Sequence, residues 1–222
     1  MKVGTDAVLL GAWCAIHKQT DAVLDIGSGT GVIALMLAQR SEAMTIDAVE
    51  IDESAHEQCV ENFEMSPWAD RLFCYHTDFE AFADEMEAEE ERYDCIVSNP
   101  PFYTDAFETE DASRNKARFA SALSFENLLS GAARLLSNDG VFSVIIPFKE
   151  ESSFISLAQE HKLHVSRVCR VKGTASAPIK RTMLSFSFQD QQPLLEELVI
   201  EKARHEYTAA YINLTKDFYL KM

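Results

Sequence analysis

Apolar residues fall into short runs separated by polar turns, and their spacing alternates between strand and helix. Ala22-Val-Leu-Asp-Ile26 is a nearly continuous apolar run, the pattern of a strand buried on both faces. It leads into glycines at 27, 29 and 31. A helix is then predicted over about residues 30–40, with apolar side chains on nearly every side. Thr45-Ile-Asp-Ala-Val49 predicts a second strand, with Glu50 at its tip. Arg71-Leu-Phe-Cys-Tyr-His76 predicts a third and Tyr93-Asp-Cys-Ile-Val-Ser98 a fourth. Further on, a helix is expected over about 125–136, then a turn at Asn138-Asp-Gly140 and a strand over 141–147. A helix over about 150–161 leads to a strand over 163–171. Residues 173–180 read as a turn, and 181–189 as a strand antiparallel to its neighbour. Residues 195–201 add a short edge strand before a C-terminal helix. Strands alternating with helices predict an α/β fold: a doubly wound, mostly parallel sheet with its ligand at the strands' carboxy ends. No linker or repeat divides the 222 residues, a length that suits one domain, 1–222, with a large core.

The chemistry concentrates where strands end. Asn99-Pro-Pro-Phe102 follows the fourth strand. The Asn99 amide oxygen and a proline carbonyl can each accept one N–H of a planar amino group. Pro100 and Pro101 fix φ and donate no backbone hydrogen bond, so those acceptors stay aimed. Phe102 offers a face on which a flipped base can stack. Taken alone, the four residues serve equally well as a strand-to-loop exit. The upstream turn tips the balance. Gly27, Gly29 and Gly31 allow a tight turn and a ligand's close approach. Asp25, two residues before the first glycine, would repel a pyrophosphate but not a cationic sulfonium. Glu50 lies about 20 residues past the glycines, where an acid can bond both ribose hydroxyls. The alternative for Glu50 is a solvated strand-end carboxylate. Asp78-Phe79, after the third strand, can accept from an adenine amino group and pack on its ring, while Asp78 also suits a helix N-cap.

Together these segments resemble the class I S-adenosylmethionine-dependent methyltransferases that act on exocyclic amines. Val23-Leu-Asp-Ile-Gly-Ser-Gly-Thr-Gly31 is similar to their first motif, Val49-Glu-Ile-Asp52 to their second and Asn99-Pro-Pro-Phe102 to their catalytic motif. Met1-Lys-Val-Gly-Thr-Asp-Ala-Val-Leu-Leu-Gly-Ala-Trp13 and the closing 207–220 are similar to segments of the bacterial valine-tRNA (adenine-37-N6) methyltransferase family. That resemblance implies S-adenosylmethionine as methyl donor, tRNA as substrate and a seven-stranded sheet with its last strand antiparallel. It also places Thr5 and Asp6 near the donor's methionine end, and Arg114 and Arg118 on the RNA. Family members usually carry a short segment ahead of Lys2-Val-Gly-Thr-Asp6, where this chain starts, and that bears on substrate engagement. An rRNA guanine-N2 methyltransferase or a release-factor glutamine methyltransferase shares the catalytic motif. The latter usually has tyrosine at the position of Phe102 and an extra N-terminal domain. A donor-fold scaffold and a nicotinamide oxidoreductase are readings from other classes.

Charge complicates the RNA expectation. The formal net charge is −16, which disfavours nucleic acid overall. It is uneven: residues 1–109 hold 5 Lys/Arg against 23 Asp/Glu, and residues 110–222 hold 15 against 13. The cations gather at 114–118, at Arg167, Arg170 and Lys172, and at Lys180 and Arg181, past the catalytic motif. The acid gathers at 84–91, expected as a solvated helix and loop far from the site. Residues 104–118 are polar and read as a loop. The 5 cysteines and 6 histidines show no ligand spacing, so no metal site is expected, and free thiols suit a reducing cytoplasm. No apolar run approaches the ~20 residues of a membrane span, and a monomer is the default.

Overall fold

A computed structural model of the chain describes residues 4–17, 19–101 and 123–220. Its strands are β1 (Ala22–Ile26), β2 (Thr45–Glu50), β3 (Leu72–His76), β4 (Tyr93–Ser98), β5 (Leu136–Pro147), β6 (His164–Thr174), β7 (Ile179–Ser187), β8 (Leu194–Ala203) and β9 (Glu206–Tyr207). The described helices are α1 (Thr5–Trp13), α2 (Val32–Arg40), α3 (Glu53–Glu64), α4 (Phe79–Ala88), α5 (Phe125–Leu135), α6 (Glu151–Glu160) and α7 (Ala209–Thr215). The strands form one nine-stranded sheet in the order β3-β2-β1-β4-β5-β7-β6-β8-β9. β7 runs antiparallel to β5 and β6, and β9 antiparallel to β8, while the other pairings are parallel. The sheet therefore exceeds the expected seven strands. β8 pairs with β6 from Leu194 to Glu201 and is longer than the short edge expected, and β9 pairs with its carboxy end at Glu201 and Ala203.

Burial follows strand position. β1 and β4, at the centre, are almost wholly buried, whereas edge strand β3 alternates and exposes Phe73 and Tyr75. Two cores sandwich the sheet. One packs α1, α2 and α3 against it, with Leu9, Leu37 and Phe63. The other packs α4, α5 and α6, with Phe82, Leu128 and Phe154. Tyr211 of α7 joins the first core.

Two local expectations change. Asn138-Asp-Gly140 is not a turn between elements. Leu136 already pairs with Tyr93 and Val141 with Cys95, so the intervening residues bulge within β5, and Ser137 Oγ donates to Asp94 at 2.9 Å. Arg167, Arg170 and Lys172, expected in loops and strand ends where RNA would lie, are within β6 and ion-paired. Arg167 meets Glu196 at 2.9 Å and stacks 4.3 Å over Trp13, Arg170 meets Glu151 at 2.6 Å, and Lys172 meets Glu197 at 2.8 Å. The cysteines are free thiols, with Cys14, Cys59, Cys95 and Cys169 buried. Among the described residues, no helix is long and apolar enough to cross a membrane, and no group of three or more His, Cys, Asp or Glu could hold a metal ion.

Candidate active site

The carboxy ends of β1, β2 and β4 meet at one rim. Ile26 pairs with Val49 on one side and Ser98 on the other, and Ser98 Oγ donates to the Ile26 carbonyl at 2.9 Å. The glycine turn and Asn99 thus leave adjacent strands one residue beyond a shared row. Asn99 is half-buried, Pro100 buried and Pro101 exposed.

The turn is fixed by backbone geometry. Gly27, Gly29 and Gly31 have φ of 71°, 57° and 76°, a left-handed region in which a Cβ is strained. Gly27 N and Ser28 N donate to the Val49 carbonyl at 2.9 and 3.1 Å. A Cβ on Gly27 would meet nothing within 4 Å, so its open side faces the rim. A Cβ on Gly31 would lie 2.5 Å from Phe63 and 2.7 Å from the Cys59 sulfur, so this glycine is dictated by packing on α3. Asn62 Nδ2 of α3 braces the same turn through the Thr30 carbonyl at 2.9 Å.

α2 begins at Gly31 with no side-chain cap. Its exposed N–H groups are served from below: Asp25 Oδ2 accepts from Ala34 N at 3.1 Å. Asp25 is fully buried, and its Oδ1 has no partner. Burial pushes its pKa from near 3.8 up to about 7. The Ala34 hydrogen bond works against that rise, and the nearby Glu50 charge adds to it. Asp25 lies beneath the turn, so its charge reaches a ligand through space, not by contact.

Glu50 closes the other side. Its Oε2 accepts from Gly29 N at 2.7 Å and its Oε1 from Asp52 N at 2.8 Å. Each oxygen keeps a second lone pair for a hydroxyl. Asp78 is exposed and caps α4, Oδ1 accepting from Ala81 N at 3.0 Å. The cap seen as an alternative in sequence is therefore real, two residues past the carboxy end of β3. Thr5 opens α1 and is exposed. Its neighbour Asp6 pairs with Arg181 at 2.8 Å, and Arg181 sits opposite Pro147, so α1 starts at the same rim. Phe102, Arg114 and Arg118 lie outside the described residues.

The free lone pairs of Glu50 beside an open glycine face fit a ligand that carries a ribose, and the buried Asp25 carboxylate beneath the turn favours a cationic one. Sequence reasoning missed Ser98, Asn62 and the Asp6–Arg181 pair as supports of this rim. Their partners are 72, 32 and 175 residues away, so no local pattern reports them.

Comparison with known proteins gives the same direction. The sequence profile of the methyltransferase small domain family matches residues 6–169. The chain is 53% identical to the tRNA1(Val) (adenine(37)-N6)-methyltransferase of Christiangramia forsetii, covering 100% of this chain and 92% of the relative. It is 54% identical to the protein of the same name from Flavobacterium johnsoniae, covering 100% and 94%. Among solved structures, one described as a predicted O-methyltransferase from Agrobacterium tumefaciens superposes with a TM-score of 0.72. At 17% identity over 96% of both chains, this is a likeness of fold.

Proposed function

Because the chain belongs to the methyltransferase small domain family and, within it, to the tRNA1(Val) (adenine(37)-N6)-methyltransferases, we infer that it methylates the N6 amino group of a tRNA adenine, with S-adenosylmethionine as donor. The anticodon-loop adenine of valine tRNA is the substrate that the relatives' names supply. The observation that carries the reading is that Asn99 leaves the strand next to the glycine turn, one strand boundary away, while Glu50 holds that turn from its other side, on β2.

When bound, the donor supplies an activated sulfonium methyl group. Gly27 and Gly29 would let it approach the backbone, Glu50 would hold its ribose, Asp78 would take its adenine amino group and Thr5 would wall its methionine end, while Phe79 is buried against Gly131 of α5. Asp25 fixes the turn and balances positive charge through it. The adenine N6 lone pair is delocalised into the ring and nucleophilically weak. Asn99 Oδ1 and the Pro100 carbonyl accept its two hydrogens, favour its rehybridisation toward sp³ and stabilise the positive charge that develops there. Pro100 and Pro101 keep those acceptors from moving. Positioning of this kind supplies several kcal/mol, within the ~7–11 that fixed geometry can provide. Phe102 stacks on the flipped base, Arg114 and Arg118 hold flanking phosphates, and the proton leaves late to water. The chain acts as a monomeric single domain in the cytoplasm.

The test is transfer of label from methyl-labelled S-adenosylmethionine to unmodified total tRNA, with rRNA and a release factor in parallel. Label that digests to N6-methyladenosine in tRNA is expected. Label only in rRNA or in the release factor would keep the chemistry and overturn the substrate.

A further inference from the structure

The ligand-bearing rim of the sheet is not level. Ile26, Ser98, Val144, Leu184, Val168 and Leu195 occupy one row across it. On the flank of β1–β3 the strands stop almost at once, β1 in that row and β2 one residue above it, at Glu50. On the other flank β6 continues to Thr174 and β8 to Ala203, with Thr174 paired to Glu201. The Thr174–Glu201 pair stands six residues past the Ser98 row, on the order of 20 Å along the strands. Asn99 therefore lies at the foot of a wall made by β6, β7, β8 and the β8–β9 turn.

The wall's upper edge carries cations. Lys172 and Arg181 are held by Glu197 and Asp6. Lys180, Lys202 and Arg204 are exposed and form no ion pair among the described residues. Of the acids nearby, Glu201 is turned onto the turn, accepting from His205 N at 3.4 Å, and Glu206 is exposed. The opposite flank of the rim presents Glu50, Asp52, Glu53 and Asp78 instead. A polyanion reaching Asn99 meets repulsion on one side and free cations on the other.

We propose that this raised wall is the surface along which the RNA backbone flanking the target adenine lies, with Lys180, Lys202 and Arg204 contacting phosphates. The proposal rests on the RNA-methylating reading above and adds to it a direction of approach. Base identity is left to the pocket at Asn99, because phosphate contacts position a strand without reading it.

The test is fluorescence anisotropy of a labelled, unmodified valine tRNA transcript, titrated with the full chain at several salt concentrations between 50 and 200 mM. Parent, K180A/K202A/R204A and K162A are compared. Lys162 is an exposed cation in the turn between α6 and β6, at the opposite end of the sheet. The triple variant should bind on the order of tenfold more weakly. Its log–log salt slope should be shallower by about 2–3, near one for each phosphate contact removed. K162A should match the parent, and donor affinity by calorimetry should be the same in all three. A triple variant indistinguishable from K162A overturns the proposal, as does a parent that binds a release factor but no tRNA. A parent that binds tRNA with the expected salt response but methylates it elsewhere, or not at all, corrects the reaction and leaves the wall standing.

Discussion

Asp25 carries a cost that the fold alone does not require. Its carboxylate is fully buried, one oxygen caps α2 through Ala34 N, and the other has no partner. The pKa rises from near 3.8 to about 7, mainly through burial. At about 1.4 kcal/mol for each tenfold change in proton affinity, the ionised form is some 4 kcal/mol less at home in the fold than in the unfolded chain. The folded pKa lies above the unfolded one, so the folded state binds more protons between these values. The contribution of Asp25 to stability is therefore greatest below about pH 4, falls as pH rises and levels off above about pH 7. Asp25→Asn keeps an oxygen for Ala34 N and cannot ionise. Urea unfolding of parent and variant at pH 5 and pH 8 should show the variant gaining on the parent by about 2–3 kcal/mol over that interval. Titrations elsewhere, including that of buried Asp47, are common to both proteins and cancel. A constant offset, from the extra N–H₂ in a dry site, leaves the pH dependence untouched. The same variant should bind S-adenosylmethionine more weakly, because a negative charge beneath a cationic ligand is lost. A stability gap that does not change with pH would refute the reasoning.

Asn99→Ala should lower kcat by about 10²–10³-fold, the effect of deleting one transition-state contact, while donor affinity by calorimetry holds. Activity within a few-fold of the parent would exclude Asn99 from catalysis. Glu50→Ala should weaken donor binding by about 1–3 kcal/mol, and unchanged calorimetry would remove it from the ribose site. Gly27→Ala and Gly31→Ala both place a Cβ at positive φ, costing about 1–2 kcal/mol. Only Gly31→Ala also collides with Phe63 and Cys59, so thermal unfolding should show it losing about 1–3 kcal/mol more. Gly27→Ala should instead fold and lose donor affinity, and equal losses of stability would contradict this division.

The parts of the site legible in sequence are those whose cause is local. A buried apolar run, a left-handed glycine turn and an acid at the next strand tip all lie within 29 residues, from Ala22 to Glu50, and the structure assembles them as spaced. Asn99 was legible because Pro100 and Pro101 mark it. What sequence did not reveal depends on partners far along the chain. A strand pattern cannot say that Arg167, Arg170 and Lys172 face Glu196, Glu151 and Glu197, so they read as free cations. Asn138-Asp-Gly140 has turn chemistry, but pairing of Leu136 with Tyr93 starts the strand before it. The upper end of β8 was hidden because Lys202, Ala203 and Arg204 carry no apolar alternation past the expected 195–201, and Ala203 is held in the sheet by pairing with Glu206 of β9. That end raises the wall above Asn99.

The strand order also reconciles an acidic chain with an anionic substrate. The first 109 residues carry most of the acid, and β1, β2 and β3 all lie on one side of β4. A split along the sequence becomes a split across the sheet. From β2, which carries Glu50, to β8, which ends beside Arg204, the order passes six strand boundaries. At about 4.8 Å each, that is on the order of 29 Å. The Debye length is ≈10 Å at 0.1 M salt and ≈30 Å at 0.01 M. At 0.1 M the acidic flank is therefore screened from RNA lying on β8, whereas at 0.01 M its repulsion reaches across the sheet. Log affinity for tRNA should climb as salt is lowered toward 0.1 M, then flatten or turn over near 0.01 M. A straight log–log line through the whole range would mean that the RNA never feels the acidic flank, and that charge segregation across the sheet has no part in how the RNA is received.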